Sequence, residues 1–85
     1  MKIQVTQQHI DSGVRGSCTS DPIALAILES GFPNAWVGVH YLDLDGHAGG
    51  SGDRSVKMPD TAYEFLKRFD NGLPPLEPFS FILEF

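Results

Sequence analysis

The sequence has 85 residues, enough for one small domain, and its net charge of −5 at pH 7 argues against several classes of function. Eleven acidic residues outnumber six basic ones, so the chain lacks the clustered Lys and Arg that supply most of the affinity for DNA or RNA. No apolar run approaches the roughly 20 residues that a membrane span needs. Cys18 is the single cysteine, which excludes an internal disulfide and a cysteine-based metal site.

The N-terminal segment predicts a short strand followed by a short helix. Residues 2–6 alternate between polar and apolar side chains, with Ile3 and Val5 on one side. Thr6 is a suitable N-cap for a helix over residues 7–12, and Gly13 is suited to close it. Residues 13–19 are rich in glycine and small polar side chains, which is typical of a loop.

Residues 20–31 predict a helix with both ends marked. We expect Ser20 to cap it, Pro22 to lie in its first turn, where no N–H is needed, and Gly31 to end it. Residues 23–28 are apolar around the whole circumference, and a helix without a polar stripe is normally buried. The rest of the chain should therefore cover this helix on all sides.

The middle of the chain predicts two strands joined by a glycine-rich connection. Residues 35–44 are mostly apolar or β-favouring, and we expect one strand inside the sheet. Gly38 interrupts this run, as glycine does at a bulge or where a neighbouring side chain approaches the backbone. Residues 45–52 form the connection, and residues 53–58 return as a short strand with Val56 facing inward.

The last third of the chain predicts a second main helix and a terminal strand. Pro59 marks the start of a helix over residues 59–71, and Gly72 marks its end. Within it, Glu64 and Arg68 have the i, i+4 spacing of a helical ion pair. Residues 73–78 are a stiff, proline-rich connector. Residues 79–85 then alternate, which places Phe79, Phe81, Leu83 and Phe85 on one side of a strand.

These elements predict a single α+β domain over residues 1–85, with a small four-stranded, mostly antiparallel sheet and two main helices on one face. One arrangement with this β-α-β-β-α-β order is the ferredoxin-like sandwich. The other is an antiparallel meander whose last strand pairs with the first. Both predict the same core: Ile3, Val5, Ile23, Ala26, Ile27, Val39, Phe65, Leu66, Phe69, Phe81 and Leu83.

No stretch carries a complete motif for catalysis or for a metal or cofactor. Residues 43–46 resemble the start of a calcium loop, but the glycine comes at the fourth position and Arg54 occupies the twelfth. The glycines of residues 46–52 lack the following helix and the lysine of a phosphate-binding loop. Cys18 could pair with His9 or His40 as nucleophile and base, but no third group is in place to orient the base. We therefore predict no catalytic residue, no metal and no cofactor.

Residues near both ends of the chain carry a resemblance to a known class of proteins. They are Ile3, Val5, Thr6, Gln7, His9, Ile10 and Gly13, then Cys18, Pro22, Ala24, Leu25 and Ala26, and finally Phe69, Asp70, Gly72, Pro74, Pro78, Phe79 and Phe81. In these positions the chain resembles small uncharacterised proteins of bacteriophages and prophages. The resemblance implies an accessory phage gene product in the cytoplasm of the infected bacterium, and it brings no known active site.

Size, acidity and this resemblance together predict a non-enzymatic inhibitor. Many small acidic phage proteins antagonise host defence by occupying basic surfaces that normally hold nucleic acid, as anti-CRISPR proteins do. The prediction of this function for the present chain is made by analogy with those proteins. The predicted partner is a host complex such as a CRISPR–Cas effector, bound by a monomer or homodimer without direct contact to nucleic acid or membrane. The residues proposed for binding are Asp43, Asp45, Asp53 and Asp60, with Trp36 or Tyr41 as an aromatic anchor. The alternatives are a nucleotide-binding protein that uses Arg15, Arg54 or Lys57, and a structural or regulatory phage protein.

Overall fold

The computed structural model describes residues 1–17, 19–32, 34–38, 40–44, 55–74 and 76–83. Its elements in chain order are β1 (Lys2–Val5), α1 (Gln7–Ser12), α2 (Pro22–Glu29), β2 (Trp36–Val37), β3 (Tyr41–Asp43), β4 (Ser55–Lys57), α3 (Asp60–Asn71) and β5 (Phe79–Ile82). The predicted α+β class is confirmed. Within the described ranges, no helix is both long and apolar enough to cross a membrane.

The strands form two hydrogen-bonded sheets, so the prediction of one four-stranded sheet is wrong. β1 pairs antiparallel with β5, and β2, β3 and β4 form a separate antiparallel meander. The segment predicted as one strand over residues 35–44 is instead a tight hairpin. The Gly38 N–H donates to the Tyr41 carbonyl at 2.9 Å and closes its turn. The pairing of the last strand with the first was one feature of the predicted meander alternative.

Gly38 is required in this hairpin because the Trp36 ring lies against it. A Cβ atom at Gly38 would come within 2.6 Å of Trp36 Cζ3 and 3.0 Å of the Tyr41 carbonyl oxygen. Contacts of that length do not occur in folded proteins without movement of one partner. The close approach of a side chain, one of the two predicted reasons for this glycine, is therefore confirmed.

α1 begins and ends as predicted, with Thr6 as its N-cap and Gly13 as its C-cap. The Thr6 side chain accepts the His9 N–H at 3.4 Å, and the Thr6 N–H donates to His9 Nδ1 at 2.9 Å. This reciprocal arrangement is a capping box in which a histidine takes the position usually held by Glu or Gln. It satisfies backbone donors that a six-residue helix could not satisfy alone.

α2 differs from its prediction at its N-terminal cap and at one face. Asp21, not Ser20, caps it, and its carboxylate accepts the Ala24 N–H at 2.7 Å. The Ser20 N–H donates instead to Ser17 Oγ at 3.0 Å in the preceding turn. Leu28 is 48% exposed, so the helix is not covered on all sides. α1, β1 and β2 contact α2, and they leave the side with Leu28 open.

α3 runs over Asp60–Asn71, one residue shorter than predicted, and ends at Gly72 in the left-handed conformation with φ of 66°. Its buried face consists of Ala62, Phe65, Leu66 and Phe69. The Phe65 ring packs against Phe79 of β5 with ring centroids 4.7 Å apart. All predicted core residues are buried, apart from Val39, which lies outside the described residues together with Phe85.

Candidate protein-binding face

The three-stranded sheet has one buried face and one face turned away from the core. Val37, Leu42 and Val56 are paired across the strands and form the buried face. Directly opposed residues share a face, and side chains alternate along each strand. The other face, called the outer face below, therefore consists of Trp36, Tyr41, Asp43, Ser55 and Lys57.

Two of the predicted aromatic residues lie on this outer face. Tyr41 is 52% exposed and is opposite Lys57, which is also exposed. Trp36 is half-buried, and its ring packs over Gly38. Tyr and Trp are among the residues that contribute most binding energy at protein interfaces. The hairpin therefore presents aromatic surface from a backbone that is fixed by the core on its other side.

The predicted acidic residues are not gathered on this face. Asp43 is 0% exposed and lies on the central strand, paired with Trp36 and Ser55. Its assignment as an exposed binding residue is therefore wrong. Asp45 and Asp53 lie outside the described residues. Asp60 is exposed in the first turn of α3, three residues after the end of β4.

Exposed acids are instead carried by the helices. On α3, Asp60, Glu64 and Asp70 are exposed alongside a single exposed base, Lys67. The predicted ion pair between Glu64 and Arg68 is absent: within the described ranges neither side chain lies within 4.0 Å of an opposite charge. The exposed side chains of α3 therefore carry more negative than positive charge.

A hydrogen bond between His9 and Glu29 ties α1 to α2. His9 Nε2 lies 2.7 Å from Glu29 Oε2, while Nδ1 accepts the Thr6 N–H. Because Nδ1 is an acceptor, Nε2 must carry the proton and donate it to Glu29. Both ring nitrogens of this buried histidine are thus engaged. His9 lines an open cleft of about 370 Å³ with Lys2 and Gln4, but neither nitrogen is available there as a base or ligand.

The other residues considered for chemistry do not form a site in the described structure. Cys18 lies outside the described residues, as does the glycine-rich connection over residues 45–54. The His40 ring stacks on Tyr63 with centroids 5.8 Å apart. Across the part of the chain that is described, no three His, Cys, Asp or Glu side chains converge as metal ligands do.

The basic residues suggested for nucleotide binding are separated by α3. The Arg15 guanidinium lies against Gly72 at the end of this helix, whereas Lys57 lies at the end of β4, before the helix begins. The ends of a 12-residue helix are about 17 Å apart. Arg54 is outside the described residues. Arg15 and Lys57 therefore do not converge on one phosphate group.

Asp21 is a buried carboxyl group at the N-terminus of α2. It is 2% exposed, and burial raises its pKa from 3.8 to about 7, with a further rise from the negative charge of Asp70. The hydrogen bonds from the Ala24 and Ile23 N–H groups act in the opposite direction and lower this pKa. An Asp directly before a proline at a helix start was the available sequence signal for a capping residue, but it gave no indication of burial.

Comparisons of the chain with protein-family models, curated proteins and solved structures found no match.

Proposed function

We propose that this chain is a non-enzymatic accessory protein of a phage that acts by binding another protein through the outer face. The observation that carries the proposal is Tyr41, half exposed beside Trp36 on a sheet face whose opposite side is anchored in the core. Exposed aromatic side chains on a rigid backbone lose little conformational entropy on binding. The outer face thus has the features of a contact surface.

The charge distribution supports a basic partner. The net charge is −5, and exposed Asp60 and Glu64 lie on α3 beyond the end of β4. Charge complementarity mainly accelerates association and excludes wrong partners, while buried aromatic contacts hold the complex. We propose a host defence complex with a basic nucleic-acid-binding surface, such as a CRISPR–Cas effector, as the target. This specific target rests on charge and on the resemblance to phage proteins.

A plaque assay tests this target. The wild-type chain should raise phage plating efficiency on a host with an active CRISPR system and leave it unchanged on the matched host without one. Tyr41→Ala should abolish the rise, and Asp60→Lys should weaken it. Asp11→Lys is the matched control, because Asp11 is an exposed acid of α1 that is not part of the outer face. Equal plating with and without the protein on both hosts would reject the proposed target.

Direct binding tests the face independently of the target. With a purified effector, surface plasmon resonance should show association that slows as salt is raised, because the attraction is screened. Tyr41→Ala should accelerate dissociation about tenfold or more, as loss of an aromatic anchor does, while Asp60→Lys should act mainly on the association rate. Identical kinetics for wild type and Tyr41→Ala would exclude the outer face as the binding surface.

A further inference from the structure

A small cleft separates α3 from the segment that leads into β5. It has a volume of about 170 Å³, and it is lined by Thr61, Phe65, Arg68, Glu77, Pro78 and Phe79. This is below the roughly 300–1,000 Å³ of pockets that enclose drug-sized ligands. The packed Phe65 and Phe79 rings provide an apolar wall. A fitting ligand is therefore small and partly apolar.

Arg68 brings an unpaired cation to this cleft. Its Nε atom is buried and has no hydrogen-bond partner, and among the described residues Arg68 forms no ion pair with Glu64 or Glu77. A buried donor without an acceptor costs about 1–3 kcal/mol, and native proteins rarely leave one unsatisfied. The planar guanidinium group binds carboxylates through parallel N–H donors. Because Nε has no surface accessible to solvent, a carboxylate in the cleft would pair with the terminal Nη groups of Arg68, which lines the cleft.

Glu77 brings the opposite charge to the same cleft. Its side chain is exposed and does not lie within 4.0 Å of a basic group among the described residues. An ionised carboxylate accepts hydrogen bonds only, so it matches an ammonium group and repels a phosphate or a second carboxylate. This charge disfavours nucleotides and diacids as occupants.

We propose that this cleft binds a free α-amino acid with an apolar side chain. Its carboxylate pairs with Arg68, its ammonium group pairs with Glu77, and its side chain packs against the Phe65 and Phe79 rings. Each of the two charged groups in the lining then gains a partner. The cleft shares no residue with the outer face, so this binding is independent of the proposed protein contact.

Titration followed by ¹⁵N NMR of the full chain tests the proposal with three probes. L-leucine carries both charges, N-acetyl-L-leucine keeps only the carboxylate, and L-leucinamide keeps only the ammonium group. L-leucine should shift the Arg68 Nε–H signal saturably at millimolar concentration. The affinity of the other two probes should be lower by about tenfold or more. Absence of a saturable shift, or equal binding of L-leucine and N-acetyl-L-leucine, would overturn the proposal.

Substitutions of Arg68 and Glu77 test whether these two charged side chains bind L-leucine. Arg68→Lys keeps the charge but loses the planar donors, and Glu77→Gln loses the ammonium partner, so each should weaken L-leucine binding about tenfold. Lys67→Gln is the matched control, because Lys67 is exposed on α3 and does not line this cleft. Wild-type affinity in Glu77→Gln would overturn the assignment even if Arg68→Lys failed to fold. Tyr41→Ala should leave L-leucine binding unchanged, which separates this test from that of the outer face.

Discussion

Replacing Asp21 by Asn removes a carboxyl group buried at the N-terminus of α2 but keeps an oxygen that can cap the helix. The pKa of Asp21 is raised from 3.8 to about 7 in the fold. Between these two values the folded protein binds more protons than the unfolded chain does. Stability therefore decreases as pH rises through this window, since stability falls with pH wherever the folded state holds the extra proton.

The size of the effect follows from the pKa difference. One pKa unit corresponds to about 1.4 kcal/mol, so the full window is worth on the order of 4 kcal/mol. Most of this, roughly 3 kcal/mol, is lost between about pH 5 and about pH 8. In a domain of this size such a change moves Tm by more than about 10 °C. Asp21→Asn lacks the titrating group, so its free energy of unfolding should not show this decrease with rising pH.

Urea unfolding of both proteins across this pH range measures the difference. The free energy of unfolding of Asp21→Asn should exceed that of the wild type at about pH 8 and approach it below about pH 5. Asp11→Asn is the control, because its carboxylate is exposed and accepts the Gln7 side chain, and its curve should run parallel to that of the wild type. If Asp21→Asn also ran parallel to the wild type, burial would not have raised this pKa.

Four further substitutions test the packing. Ile27→Ala should cost about 2–5 kcal/mol in urea unfolding because Ile27 is fully buried, whereas Leu28→Ala should cost less than about 1 kcal/mol; equal losses would contradict the one-sided burial of α2. His9→Ala should cost about 2 kcal/mol in thermal unfolding, since it removes the capping box and the tie to α2, and an unchanged Tm would contradict both roles. Gly38→Ala should cost about 1–3 kcal/mol and alter the fluorescence of the single tryptophan; a spectrum like that of the wild type would refute the close approach.

The local elements were predictable where the signal lies within a few neighbouring residues. Thr6 and Gly13 correctly predicted the two ends of α1, because an N-cap and a C-terminal glycine act on backbone groups that are close to them in the sequence. The buried face of α3 could be predicted from the helical spacing of its apolar residues alone. The core followed from the same periodicities, since apolar side chains that share a face of an element are buried together.

The hairpin over residues 36–43 could not be predicted from such local patterns. An apolar run favours a buried strand, and the reversal at Gly38 depends on where the Trp36 ring packs in three dimensions. The same limit applies to Asp43 and Leu28. The charged Asp43 is buried on the central strand and the apolar Leu28 is exposed on α2, the reverse of what each residue type favours.

The sequence pointed to α2 as the element that organises the chain, whereas α3 has a larger part in placing the candidate functional features. Its first turn carries the exposed Asp60, its buried side packs against β5, and Arg68 lines the cleft. Near its end, Asp70 accepts the Gly16 N–H at 3.1 Å and contributes to the raised pKa of Asp21. An apolar helix such as α2 contributes mainly buried side chains, whereas an amphipathic helix such as α3 buries one side and carries charged residues on the other. The proposed cleft and the acidic charge proposed to attract a basic partner therefore both depend on the position of α3.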